Sequence, residues 1–484
     1  MSCRRIAETL LWLVGLLGPA TLWSQTVTTL VNFDGTNGGN AQSMSLVQGS
    51  DGKLYGTTWK GGANSMGVVF KVIEGTAKVL HTFSGVAPDG AFPTAGLLLA
   101  SSGKLYGTTQ QGGGGLGTVF SITPAGAYLT LHSFAGTDGA TPAAPLIQST
   151  AGPFYGTTSS GGTGAVGTAF KITAAGGLTT LYNLGSNGLG DGLYPFAPLV
   201  QGSDGSFYGA TEFGGTNLCN CGTVFKVTPA GKEKVLYSFG AGGGFSDGAQ
   251  PLGALIQGLD GNFYGTTSSS GCAAGCGGTV FKITPLGVLT TLHAFTCYPG
   301  DGCSPQAGLA VGSDGNLYGT TFQGGSQAAA CNCGTIFQIA PDGTYQSLYS
   351  FTNGTDGRNP WGGLFQATDG AFYGTTIAGG SGVSSSCNYD GTQTCGTVFS
   401  LSLGLGPFVI DLPSAAVVGT TVKILGTNLM GATAVSFNGT PAVIVGASKT
   451  LITTSVPAGA TSGYVTVTTT GGTLTSNLPF RVLP

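Results

Sequence analysis

Ten cysteines stand in five close pairs: Cys219/Cys221, Cys272/Cys276, Cys297/Cys303, Cys331/Cys333 and Cys387/Cys395. Spacings this short suit two chemistries, zinc chelation by thiolates or local disulfides. Their even number favours disulfides in an oxidising compartment. His81, His132 and His293, the natural partners in a zinc site, fall outside the clusters. The disulfide reading is therefore taken for all ten. The two Cys-x-Cys pairs either bridge internally or pair with Cys272 and Cys276 of the intervening repeat; spacing does not choose.

Acid–base chemistry has little to work with. The three His occupy one recurring slot, LHxF, which Tyr182, Tyr237 and Tyr349 fill elsewhere. A slot shared by His and Tyr is a half-buried packing position rather than a catalytic one. Beyond Glu8, the glutamates are Glu74, Glu212 and Glu233, scattered along the chain, and no nucleophile–base–orienter grouping can be read from them. The GGGG run at 112–115 lacks the following helix and Lys of a phosphate cradle. Asp-Gly recurs at Asp89, Asp138, Asp191, Asp247, Asp301 and Asp356, with Asn37-Gly38 as the seventh copy, and a second set lies at Asp51, Asp204, Asp260, Asp314 and Asp369. Repeat symmetry spreads these acids apart, whereas a cation site needs oxygens converging on one point; each is read as capping its own turn. No cofactor or metal is expected.

What positions these residues is a repeat. YGTT occurs at Tyr55, Tyr106, Tyr155, Tyr264, Tyr318 and Tyr373, with YGAT at Tyr208. The seven copies are 51, 49, 53, 56, 54 and 55 residues apart, a period of stacked or radial folds. Each unit reads as four short strands; in the fifth they are GALIQ (253–257), NFYGTT (262–267), TVFKIT (279–284) and LTTLHAF (289–295). Asp-Gly and Pro-x-Gly between alternating runs are hairpin signals. Seven four-stranded units predict a seven-bladed β-propeller. The last repeat lacks its fourth strand, and VTTLVNF (27–33) supplies an unmatched copy before the first YGTT. The N-terminal strand is thus expected to close the ring and remove its open edge; an open β-solenoid, the rival, needs no such exchange.

Charged residues make up only 7% of the chain, and the net charge of −3 gives no basic footprint for nucleic acid. Arg4 and Arg5, an apolar run over 10–17 and small residues at 18–20 follow the order of a secretory signal. The expected division is a signal at 1–24, the propeller at 26–403 and a small immunoglobulin-like sandwich at 407–484. The mature protein is expected in the secreted, periplasmic or cell-surface space, with no membrane span.

The repeat phrase DGxFYGTT…GTVFKITPxG…TTLHxF resembles that of bacterial exported GloVer-repeat, or choice-of-anchor, proteins over about residues 27–403, with departures at Val68, Ala169, Ala210 and Ile336. The C-terminal segment resembles an IPT/TIG domain through residues 419–422 (GTTV), 426–428 (GTN), 435–439 (VSFNG), 456–459 (VPAG) and Phe480. The resemblance implies attachment or spacer roles rather than an activity.

The function expected is non-catalytic binding or surface interaction through the long, variable loops between second and third strands and between fourth and first, which share one face of the disc. The alternative is a propeller enzyme acting on polysaccharide, for which Glu212 with a ring Asp is the candidate pair. A quinone-dependent dehydrogenase is disfavoured, because only Trp59 and Trp361 follow the signal. Both lie at long-loop positions of the first and seventh repeats, which ring closure makes neighbours. They are the candidate ligand-binding residues, with a glycan or cell-surface component as partner.

Overall fold

The computed structural model describes residues 25–42, 45–216, 219–240, 246–269, 277–297, 299–326, 331–389 and 391–484. The signal expected at 1–24, and Cys272 and Cys276, lie outside the described residues.

The described residues are all-β apart from two single-turn 3₁₀ segments, Gly188–Gly190 and Ser385–Cys387. Each repeat forms one four-stranded antiparallel sheet, seven in all; the first consists of Val47–Gln48, Leu54–Thr58, Val68–Ile73 and Thr76–Thr82. Register explains the YGTT phrase. Its Gly faces the Phe of GTVF in every sheet, as Gly56 faces Phe70. A Cβ on Gly56 would stand 2.7 Å from Phe70 Cζ and from Leu46 Cδ2, so only glycine lets that ring lie across the strand. The third-to-fourth pairing slips by one residue in each sheet, as between Val69 and Phe70, a bulge that adds twist.

The seventh sheet is completed from the other end of the chain. Thr26–Asn32 pairs with Thr397–Ser402, with Val27 opposite Leu401. Two kinds of hydrogen bond join consecutive sheets. The first Thr of YGTT donates to the next repeat, as Thr57 Oγ1 to Ala95 O (2.8 Å) and Thr320 Oγ1 to Gly362 O (3.0 Å). A Gln of one first strand accepts from the turn of the preceding repeat, as Gln148 Oε1 from Ser101 N (2.9 Å). Both kinds also run from the seventh sheet to the first: Thr375 Oγ1 to Ala41 O (3.4 Å) and Thr368 N to Gln48 Oε1 (3.1 Å).

Two further four-stranded sheets follow. Ile410–Leu412, Thr421–Leu425, Leu451–Ser455 and Gly446–Ala447 form one; Thr440–Ala442, Ala434–Phe437, Val465–Thr469 and Gly472–Thr475 form the other. Val422, Ile424, Phe437, Val465 and Phe480 fill the space between them. This sandwich rests on the short-turn side of the repeats. Leu425 is buried in one cluster with Leu97 and Leu99, and Ile410, Leu412 and Leu451 pack against it. Thr450 Oγ1 donates to Ser50 O at 2.8 Å, and Phe408 N to Thr368 O at 3.1 Å. No helix of the described residues is long and apolar enough to cross a membrane.

Candidate functional site

The long-loop side is held by a sevenfold latch. Asn40, Phe92, Thr141, Tyr194, Gln250, Ser304 and Asn359 occupy one repeat position, and all adopt left-handed backbone with φ between 49° and 56°. Each costs conformational energy outside glycine, so something must hold it. Its amide donates to the preceding repeat, and its carbonyl accepts from the residue after its own YGTT. For Phe92 these are Met66 O (2.8 Å) and Gln110 N (3.1 Å). The residues that follow YGTT, Trp59, Glu212 and Phe322 among them, are therefore fixed by backbone at the seams between sheets.

Trp59 and Trp361 are both half-buried. Each stacks across a seam rather than on its own sheet. Trp59 lies 5.9 Å from the ring of Phe92 in the second repeat, and Trp361 lies edge-on to Phe322 of the sixth at 5.3 Å. They look away from the seam that their repeats share, and a loop of the seventh repeat spans the interval. Lys60 Nζ sits 4.5 Å over the Trp59 ring and donates to Asn388 O at 3.4 Å. The adjacent Tyr389 ring is 6.5 Å from Phe322. The result is an arc: Phe92, Trp59, Lys60, Asn388, Tyr389, Phe322, Trp361. The Cys387–Cys395 disulfide closes the loop at its base, and Arg358 Nη2 donates to Thr392 Oγ1 at 2.9 Å within it. Half-exposed aromatic faces beside amide and ammonium groups can stack on apolar ring faces and bond hydroxyls. Sequence reasoning named the two Trp as candidates and did not name the Phe92, Phe322 and Tyr389 rings beside them; alignment on YGTT places Trp59, Glu212 and Phe322 in one column, which was the available signal.

The other described cysteines bridge within their own clusters: Cys219–Cys221, Cys297–Cys303 and Cys331–Cys333. Both Cys-x-Cys pairs thus close internally.

The His/Tyr slot and the first Asp set form one device. His81 Nε2 lies 3.1 Å from Asp89, His132 Nε2 2.8 Å from Asp138 and His293 Nε2 3.3 Å from Asp301. Tyr182, Tyr237 and Tyr349 donate to Asp191, Asp247 and Asp356 at 2.6, 2.8 and 3.0 Å. Each carboxylate also spans its own turn, as Asp89 accepts Ser84 N at 2.8 Å. The seventh copy changes both members together: Val31 replaces the polar slot and Asn37 the Asp, accepting only from the Asp34 amide. That joint change was visible in the sequence. Each Asp of the second set accepts from its YGTT tyrosine, and Asp51, Asp204 and Asp260 also pair with a lysine, as Asp51 joins Tyr55 (2.9 Å) and Lys71 (2.5 Å).

Two glutamates are perturbed. Burial raises the Glu212 carboxyl above its ordinary range. Burial and the Asp191 charge raise Glu233 to about 7. Among the described residues no three or more His, Cys, Asp or Glu are grouped to hold a metal ion.

The chain matches the Gloeobacter/Verrucomicrobia repeat over residues 19–201, 167–387 and 301–421, and the IPT/TIG domain over 410–482. No curated protein sequence matches it. Among solved structures, the Kuenenia stuttgartiensis hydrazine synthase is 13% identical, with a TM-score of 0.45 over 70% of this chain and 93% of that one. An auxiliary nutrient binding protein from Bacteroides thetaiotaomicron is 10% identical, with a TM-score of 0.39 over 63% and 68%. A puromycin hydrolase mutant is 14% identical, with a TM-score of 0.38 over 66% and 48%. Likenesses this distant carry no functional inference. The repeats decide the matter: this chain belongs to the Gloeobacter/Verrucomicrobia repeat family and ends in an IPT/TIG domain.

Proposed function

We propose that this is an exported, non-catalytic binding protein: a closed seven-bladed β-propeller at 26–403, presenting a glycan site on its long-loop face, with the IPT/TIG sandwich at 407–484 as a docked module. Export is supported by the signal-like segment and by four disulfides among the described residues. Closure is supported by the two links that run from the seventh sheet to the first. The observation that carries the binding reading is the aromatic arc, in which a disulfide-closed loop joins Trp59 to Trp361. Pyranose rings offer apolar faces for Trp and Tyr and hydroxyl edges for Lys60 and the Asn388 amide. Purified mature protein titrated with soluble polysaccharides and cell-wall fractions tests it: the parent binds, and Trp59→Ala and Trp361→Ala weaken binding without lowering the melting temperature.

A polysaccharide-acting enzyme is the second reading. Glu212 stands in the column of Trp59, and burial pushes its carboxyl up, as a general acid requires. Sustained product release that is abolished in Glu212→Gln selects this reading over simple binding.

A further inference from the structure

The short-turn side, where the sandwich rests, carries a cleft. The first-hairpin aspartates are neutralised by lysine in three repeats: Asp51 by Lys71 (2.5 Å), Asp204 by Lys226 (2.5 Å) and Asp260 by Lys282 (2.7 Å). In the sixth repeat Gln338 takes the lysine position, opposite Tyr318. Asp314 is then held only by neutral groups: Tyr318 OH (2.8 Å), Asn316 N (3.2 Å) and Nδ2 (2.7 Å), and Gln338 Nε2 (3.5 Å). This carboxylate lines a cleft of about 550 Å³ between the fifth and sixth repeats and the sandwich. Tyr464, 41% exposed, and the polar residues Thr473 and Asn477 of the sandwich line it as well. No Lys or Arg lines it. A neighbouring cleft under the sandwich also contains acids, Asp51 and Asp369, but is balanced by Lys53 and Lys449.

We propose that the Asp314–Tyr464 cleft binds a small hydroxylated organic cation, an amino sugar being the class that fits. Its volume lies within the range of small-molecule sites, about 300–1,000 Å³. The ammonium takes the carboxylate that this repeat leaves without a lysine. The Tyr464 ring supplies a face for the cation or for the sugar ring. Thr473 and Asn477 bond hydroxyls. The site is formed jointly by repeat and sandwich, so an occupant ties the two together, and it is separate from the aromatic arc.

The test is isothermal titration of the full mature protein with the glucosamine disaccharide and with its N-acetylated counterpart, which differ in charge at one nitrogen per ring. The amine is expected to bind and the acetylated sugar to bind at least about tenfold more weakly. Asp314→Asn and Tyr464→Ala each lower amine affinity by about tenfold, Tyr464→Ala, at an exposed position, with an unchanged melting curve. Trp59→Ala and Trp361→Ala leave it intact, which separates failure here from failure of the arc. Equal affinity for the two sugars, no binding of the amine, or unaltered affinity in Asp314→Asn overturns the proposal.

Discussion

Gln48 and Thr368 are 320 residues apart, yet the Thr368 amide donates to Gln48 Oε1 at 3.1 Å, the bond that elsewhere joins consecutive repeats. First and last repeats meet as any two neighbours do. A chain beginning at Thr36, lacking the Thr26–Asn32 strand, is expected to aggregate or melt far below the parent, because it exposes the edge of Thr397–Ser402. The milder Phe33→Ala, which empties a fully buried site against Phe70, costs about 3–5 kcal/mol. Scanning calorimetry with size-exclusion chromatography checks both; a Thr36 truncation that stays monomeric and melts like the parent refutes closure.

The His–Asp pairs of the first Asp set give an acid-dependent contribution to stability. Burial alone would push the Asp89 carboxyl up, but hydrogen bonds from His81 and Ser84 outweigh it and hold it at about 2. A carboxyl depressed on folding stabilises above its unfolded pKa of about 4, and that contribution is lost as pH falls towards 2. Asp89→Asn is expected to cost about 1–3 kcal/mol at pH 7 and to flatten the acid limb of the stability profile. An unchanged profile between pH 5 and 2 contradicts the assignment.

Asp411 behaves in the opposite sense. It lies in Ile410–Leu412 opposite Ile424, its Oδ1 is buried without a hydrogen-bond partner, and burial raises its carboxyl to about 8. A carboxyl raised on folding is carried most cheaply below its unfolded pKa, and its penalty grows as pH climbs from about 4 to about 8. Asp411→Asn is therefore expected to stabilise the protein at pH 9 by on the order of 3 kcal/mol and to make little difference at pH 4. Parallel pH–stability curves for parent and variant rule this out.

Much of this fold could be read from one phrase. YGTT and GTVF announce strands, their count gives the sheets, and the unmatched VTTLVNF announces the partner of the final strand. The site was legible only in part. Trp59 and Trp361 stand out by type, but their stacking partners come from adjoining repeats, and register across a seam is not written in local spacing. The His–Asp pairs were read as two unrelated features because the members lie on either side of a loop of varying length. Only the joint change to Val31 and Asn37 links them. The docking of the sandwich through Leu425 and Ile410 was illegible, since exposed and interfacial apolar residues look alike in a sequence.

Loop closure should matter more to binding than to folding. The Cys387–Cys395 disulfide joins residues eight positions apart and holds Asn388 and Tyr389 between the two Trp. Replacing both cysteines by Ser is expected to cost roughly 2 kcal/mol of stability, as short loops gain least from cross-linking. Glycan affinity is expected to fall as far as in Tyr389→Ala. Retained affinity in the double variant removes the loop from the site.

The aromatic arc is tested most directly by titrating the mature protein and its Trp59→Ala, Trp361→Ala and Tyr389→Ala variants against a panel of soluble glycans and cell-wall polysaccharides, with a melting curve for each. The account predicts at least one glycan bound by the parent, weakened about tenfold or more in every variant at unchanged melting temperature. No glycan bound by the parent, or one bound equally by all four proteins, contradicts it.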